Sequence, residues 1–203
     1  MAVITISRQF GAGGKTLGSM IARELEYTFA DSEVIERIAE AANVTPTYVE
    51  GVEKEAGTNL TRIINKMVNK SLVDRILGGE RGYMDEQIYL DYLVVIISQM
   101  AEEGDVVMLG RGSQYILHDH PEATHILLVD ERENRIRFMM DHYELNYKKA
   151  AQVVAAEDKR RSNLYHRLGK SDFDDPNLYH LVLNMGRLTL DQALKTVTDY
   201  VRS

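Results

Sequence analysis

Apolar residues recur along this chain in two rhythms. Short runs, Val3–Ile6 (broken only by Thr5), Val106–Leu109 and Ile126–Val129, have the length and β-branched content of buried strands. Elsewhere apolar positions return every three or four residues. Leu17, Met20, Ile21 and Leu25 predict a helix over about Thr16–Glu26, and a short strand near Tyr27–Ala30 follows, ending at Asp31. Val34, Ile35, Ile38 and Ala42 stripe the next helix. Thr45 and Pro46 then read as an N-cap with proline at the first helical position, with Val44 and Val49 spaced as a hydrophobic staple.

Apolar positions 60, 63, 64, 67, 68, 72, 73, 76 and 77 predict a long helix broken by "GGERG" at 78–82, and another helix runs over Asp85–Glu103 until Gly104 stops it. Asp130 and Glu133 have capping-box spacing. A basic helix covers roughly Tyr147–Leu168, "SDFDDPN" at 171–177 is a loop, and Leu181–Leu183 is a last strand. Thr189 with Gln192 opens a final helix striped by Ala193, Leu194, Val197 and Val201.

Five short apolar strands separated by helices imply parallel pairing, hence a three-layer α/β sandwich around a five-stranded parallel sheet. A chain of 203 residues suits one such domain. The helical stretch 44–103 is too long for a simple crossover and is expected to form a subdomain beside the sheet. Net charge is −7, which argues against nonspecific binding to nucleic acid or an anionic membrane, while the 24 Lys and Arg still allow a local basic pocket. Without cysteine there are no disulfides or thiolate chemistry. No apolar stretch reaches the length of a membrane span and no signal peptide is evident, so a cytoplasmic location is expected.

The chemistry centres on "SRQFGAGGKTLG", residues 7–18, between the first strand and first helix. One reading is a turn whose glycines serve close packing. A second is dinucleotide binding: Gly11-x-Gly13 is followed by Asp31, but Thr16 stands where the third glycine belongs, and Ser7-Arg8-Gln9-Phe10 separates the glycines from the strand. A third is a phosphate-binding P-loop. Gly14-Lys15-Thr16 completes G-x-x-x-x-G-K-[ST], with Gln9 in place of the first glycine. Successive backbone N–H groups at a helix N-terminus make an anion site, to which lysine adds charge and threonine a magnesium ligand.

Five segments in order, "ITISRQFGAGGKTLG", "ADSEVIER", "VVMLGRGSQYIL", "EDKRRSNLY" and "LVLNMGRLTLDQA", resemble the cytidylate kinase-like proteins of the nucleoside monophosphate kinase group. The likeness runs from residue 3 to the C-terminal helix and is looser over 44–103. It implies a P-loop nucleoside triphosphate hydrolase-like fold in a single domain, 1–203, with 44–103 on the acceptor side and about 142–178 as a lid. It further implies transfer of a phosphoryl group from ATP, with Mg²⁺, to a nucleoside monophosphate, CMP being one candidate.

By the same resemblance the donor phosphates lie on Gly11, Ala12, Gly13, Gly14, Lys15 and Thr16, with Thr16 toward the metal. Asp31, Ser32 and Arg37 keep the spacing of a segment that grips the acceptor nucleotide. In Gly110-Arg111-Gly112 the arginine meets the acceptor phosphate, and packing alone explains poorly an arginine between two glycines. Asp158 and Arg161 match a lid element, with Tyr165 on the same helical face and Arg160 and Arg167 nearby. Arg111, Arg161 and Lys15 are the expected catalytic cations, and Arg135 and Arg137 are expected on a surface helix face. Two departures favour the alternative of a non-catalytic nucleotide-binding sensor or partner-binding protein on the same fold. Lysine falls one place late, leaving Gly14 in its position, and Leu109 replaces an aspartate before the glycine-arginine pair. His118 and His120 flank Asp119 without acidic ligands to complete a metal site. Tyr89 and Tyr92 are expected to pack within the helical subdomain.

Overall fold

The structure, a computed structural model, describes residues 2–56 and 84–203. The expected helix over 60–77 and its break at 78–82 lie outside the described residues. The first half comprises β1 (Val3–Arg8), α1 (Gly14–Leu25), β2 (Thr28–Ala30), α2 (Glu33–Ala42), α3 (Pro46–Ala56), α4 (Glu86–Glu103) and β3 (Val106–Leu109). After it come a single turn, α5 (Ser113–Ile116), then β4 (Ala123–Val129), α6 (Arg132–Tyr143), α7 (Tyr147–Arg167), β5 (Leu181–Asn184) and α8 (Leu190–Val201).

The strands form a five-stranded sheet in the order β2-β3-β1-β4-β5, with parallel pairing throughout. β1 lies at its centre, in register with β3 from Val3 opposite Val106 and with β4 from Val3 opposite Ala123. Alternation along the strands assigns each side chain to a face. Val106 and Met108 pack with α2, α3 and α4, whereas Val107 and Leu109 pack with α1 and α8. A third apolar cluster joins Ile136 and Met139 of α6 to Ala150 and Val154 of α7, with Phe10 against it.

Local signals hold in most places. Asp85 caps α4 by accepting from the Ile88 N–H at 2.9 Å, and Thr189 with Gln192 forms a reciprocal capping box at α8. The capping box expected of Asp130 and Glu133 does not form. α6 starts one residue later, with Glu131 at the N-cap, and the Asp130 carboxylate accepts from Glu131 N and Asn134 Nδ2. β4 extends to Ala123, three residues before its continuous apolar run, because pairing with β1 continues through Thr124 and His125.

His125 is buried in the sheet, its Nδ1 2.7 Å from the Thr5 hydroxyl. Burial, with His180 and His118 nearby, holds its pKa down to about 4, although Leu117 offers a backbone hydrogen bond. An unfolded histidine titrates near 6.5. Between those values the unfolded chain binds the extra proton, so the stability that neutral His125 provides is complete above about pH 6.5 and is lost as pH falls toward 4. The wild type should therefore lose roughly 5 °C more in Tm than His125→Gln between pH 7 and pH 4.5. Parallel Tm profiles for the two proteins in thermal denaturation would exclude this.

Candidate functional site

Three strands deliver the site. Arg8 is the last residue of β1, Asp31 follows β2, and Gly110-Arg111-Gly112 follows β3. Their carboxyl ends open into one crevice, where side chains from α3 and α7 join them. Arg8, Arg111, Arg160 and Arg161 line it against the carboxylates of Asp31, Glu53 and Glu157. Four guanidiniums against three carboxylates make this crevice locally cationic in an acidic protein.

The glycine loop adjoins it. Gly11 and Gly13 have φ of +87° and +79°, values that side-chain-bearing residues avoid. Gly13 is the N-cap of α1, and Leu17 N donates to Gly13 O at 3.0 Å, so the N–H groups of Gly14, Lys15 and Thr16 precede the first intrahelical bond. Those donors and the exposed Thr16 hydroxyl fit a phosphate and its metal ion. Lys15 is 78% exposed, with Nζ 2.9 Å from the Asp31 carboxylate.

Phe10 pins the loop by its ring in the cluster between α6 and α7 and by both its backbone groups. Its N–H donates to Asp158 Oδ1 at 3.3 Å, and its carbonyl accepts from Arg135 Nη1 at 3.0 Å. Arg135 and Asp158 are themselves paired at 2.9 Å. Asp158 thus holds the loop and is not among the residues lining the crevice. Arg135 corrects the expectation of a surface face: it is buried because Asp158 and the Phe10 carbonyl draw it inward, while Arg137 is exposed. Asp158→Asn should leave Arg135 with an uncompensated charge, costing about 2 kcal/mol and lowering Tm by about 5 °C. An unchanged Tm in thermal denaturation would exclude the bracket.

Arg111 points into the crevice from a strained backbone. Its φ is +53°, and Gly110 and Gly112 on either side are at +72° and +74°, so three consecutive residues are left-handed. Such strain in a side-chain-bearing residue persists only where its surroundings over-determine it. Arg111 Nε donates to Glu53 Oε1 at 2.8 Å and Nη1 to the Asp31 carbonyl at 2.6 Å. Burial opposes its charge, but Glu53, Tyr89 and Asp31 outweigh that and raise its pKa.

Glu53 is the organising carboxylate that the sequence did not single out. Its Oε2 meets Arg160 Nη2 at 3.1 Å, and the Tyr89 hydroxyl donates to Oε1, the oxygen that holds Arg111, at 2.9 Å. Tyr89 and Tyr92 are both buried in the helical packing, as their neighbours suggested. Arg161, from α7, donates to Asp174 at 2.5 Å and to Ser7 Oγ at 3.1 Å, and lies over the Tyr165 ring. Arg167 pairs with Glu86. Arg37 does not join the group. Its guanidinium is taken by Glu33 and Glu103 at 2.8 and 2.7 Å, which raise its pKa, and it lies apart from Arg111. Ser32 is exposed at the N-cap of α2 and makes no side-chain cap there.

A family model described as the cytidylate kinase-like family matches residues 3–187. Over 200 residues the chain is 25% identical to a cytidylate kinase from Pyrobaculum aerophilum, spanning 98% of this chain and 92% of that one. A solved structure of an uncharacterized protein from Eubacterium ventriosum is similar at a TM-score of 0.70 and 18% identity, covering 100% of this chain and 99% of the other. Shikimate kinase from Bacteroides thetaiotaomicron is similar at a TM-score of 0.56 and 14% identity, covering 100% and 99%. Both structural likenesses concern the fold alone. Among the described residues, no helix is long and apolar enough to cross a membrane.

Proposed function

This chain belongs to the cytidylate kinase-like family, and from that premise we propose that it transfers a phosphoryl group from ATP to a nucleoside monophosphate. One observation carries the reading: the glycine loop and a cationic crevice meet at the carboxyl ends of the same three strands. Gly11–Thr16 receive the donor phosphates on their N–H groups, and Arg111 and Arg161 hold the acceptor phosphate. Residues 44–103 form the acceptor side and about 142–178 the lid of one domain. CMP is one acceptor to test.

Mg²⁺, held through Thr16, supplies charge neutralisation to the donor phosphates. An oxygen of the acceptor phosphate bonds to the terminal phosphorus of ATP as the bond to the bridging oxygen breaks, and ADP leaves with the electron pair. No proton needs to be removed, so the chain contributes positioning and positive charge rather than a general base. Ion pairs already orient Arg111 through Glu53 and Arg161 through Asp174 before any anion arrives.

The test is ADP release from ATP and Mg²⁺ with each common nucleoside monophosphate, alongside calorimetry with ATP alone. Turnover on at least one monophosphate is the expected outcome. Leu109, buried at the end of β3, favours a second reading, nucleotide binding without transfer. Tight ATP binding with no turnover on any acceptor would establish that alternative.

A further inference from the structure

Two cations compete for the role of phosphate-binding charge beside the glycine loop. The motif nominates Lys15, yet its side chain is 78% exposed and its ammonium is held by Asp31. Arg8 is the opposite case. It lines the crevice with Arg111 and Arg161, and it forms no ion pair among the described residues, whereas Arg111, Arg160 and Arg161 each hold a carboxylate. Burial, the largest influence, lowers its pKa; Tyr165 and Asp31 act to raise it and Arg111 and Arg161 to lower it, and burial sets the net direction. A guanidinium nevertheless stays protonated in water-accessible protein, so the charge remains, with no carboxylate paired to it among the described residues.

The backbone is shaped around this side chain. A Cβ on Gly14 would meet Arg8 Cγ at 2.9 Å and its Cβ and Cδ at 3.3 Å. A Cβ on Gly110 would collide with the Arg8 guanidinium. Gly14 has no need of glycine for its own backbone, since it is the first residue of α1 and outside the positive-φ group. The two glycines therefore form a slot from the first turn of α1 to the end of β3, with Arg8 laid along it. Unpaired cations are costly to bury, and one kept in a fitted slot beside unsatisfied N–H donors is placed for an anion.

Resting on the kinase reading above, we infer that Arg8, not Lys15, is the cation that binds the phosphoryl group passing between the two nucleotides. Donor phosphates on Gly14–Thr16 lie at one end of the slot and Arg111 at the other, so Arg8 spans the ground the group must cross.

The experiment compares Arg8→Met, Arg8→Ala, Lys15→Met, Gly14→Lys and the double variant Arg8→Ala/Gly14→Lys. Arg8→Met keeps the stem over Gly14 and removes an unpaired charge, so its Tm should equal or exceed that of the wild type; a purely structural arginine would lower it. Its turnover should fall on the order of 10²-fold, the scale of losing one preorganised donor. Its affinity for ATP should fall about tenfold, with ADP affected less, since ADP lacks the terminal phosphate. Lys15→Met keeps the loop's backbone N–H groups and removes only an ammonium already held by Asp31, so it should lose less than Arg8→Met in both turnover and ATP affinity.

Gly14→Lys alone should lose activity, because its Cβ meets the Arg8 stem. Truncating Arg8 clears that path, so the double variant should recover at least about tenfold over Arg8→Ala, having returned a cation to the slot. Wild-type behaviour in Arg8→Met with loss in Lys15→Met would overturn the assignment. Calorimetry with pyrophosphate separates it from the kinase reading. Pyrophosphate binding that depends on Arg8, without turnover, keeps Arg8 as the anion contact and ends the kinase reading. No polyphosphate binding by the wild type ends both.

Discussion

An Arg111→Lys variant should bind ATP as the wild type does and transfer phosphoryl on the order of 10²-fold more slowly. Lysine keeps the charge and loses the planar fork. That fork now makes two fixed contacts, Nε to Glu53 and Nη1 to the Asp31 carbonyl, at 2.8 and 2.6 Å. A single ammonium on a flexible stem cannot reproduce their geometry or a bidentate hold on phosphate. The backbone adds to the argument, because φ of +53° costs a side-chain-bearing residue about 1–2 kcal/mol, retained here at a position that delivers a cation to the crevice. Steady-state assay and calorimetry on the folded variant read the two quantities separately. Full activity would remove Arg111 from the acceptor side and leave the donor loop untouched.

Gly13→Val should nearly abolish ATP binding while leaving the protein folded. Among the described residues only Leu190 Cδ2, at 4.0 Å, would face an added Cβ, so overpacking is not the difficulty. The difficulty is φ of +79°, which a β-branched residue avoids by rotating the peptide and turning the following N–H groups away from the anion. Strain of about 1–2 kcal/mol together with a lost charged hydrogen bond of similar size corresponds to a loss on the order of 10²-fold in affinity. Undiminished ATP affinity in a folded sample would remove the P-loop reading.

The fold was legible because its signals are local. β3 matches its apolar run at Val106–Leu109 to the residue, and the Thr189–Gln192 capping box depends on four consecutive positions. Arg111 was legible for a related reason: flanking glycines at a strand end mark a special backbone. What escaped depends on contacts far apart in sequence. Glu53 looked like any acid on an amphipathic helix until α3 packed beside β3 and α7. Arg135 looked like a surface charge because its partners are on another helix and in the glycine loop. Arg8 lay in the quoted motif but stood outside the motif's lysine rule, and only the juxtaposition of Gly14 with Gly110 shows its slot. Arg37 misled through spacing alone, since matching intervals cannot reveal that Glu103, 66 residues away, holds the guanidinium.

Glu53, 10% exposed, grips Arg111 with one oxygen and Arg160 with the other. It therefore occupies this part of the crevice as an internal anion, and an incoming one that takes these two arginines must displace it. A monoanion such as chloride exchanges one negative charge for another and gains little. A phosphate monoester, carrying close to two charges at neutral pH and three acceptor oxygens, has the surplus to take both guanidiniums. On the proposed function, such a plug would disfavour singly charged small anions at these two positions, and it ties the strand-end arginine and the helix arginine to a single exchange.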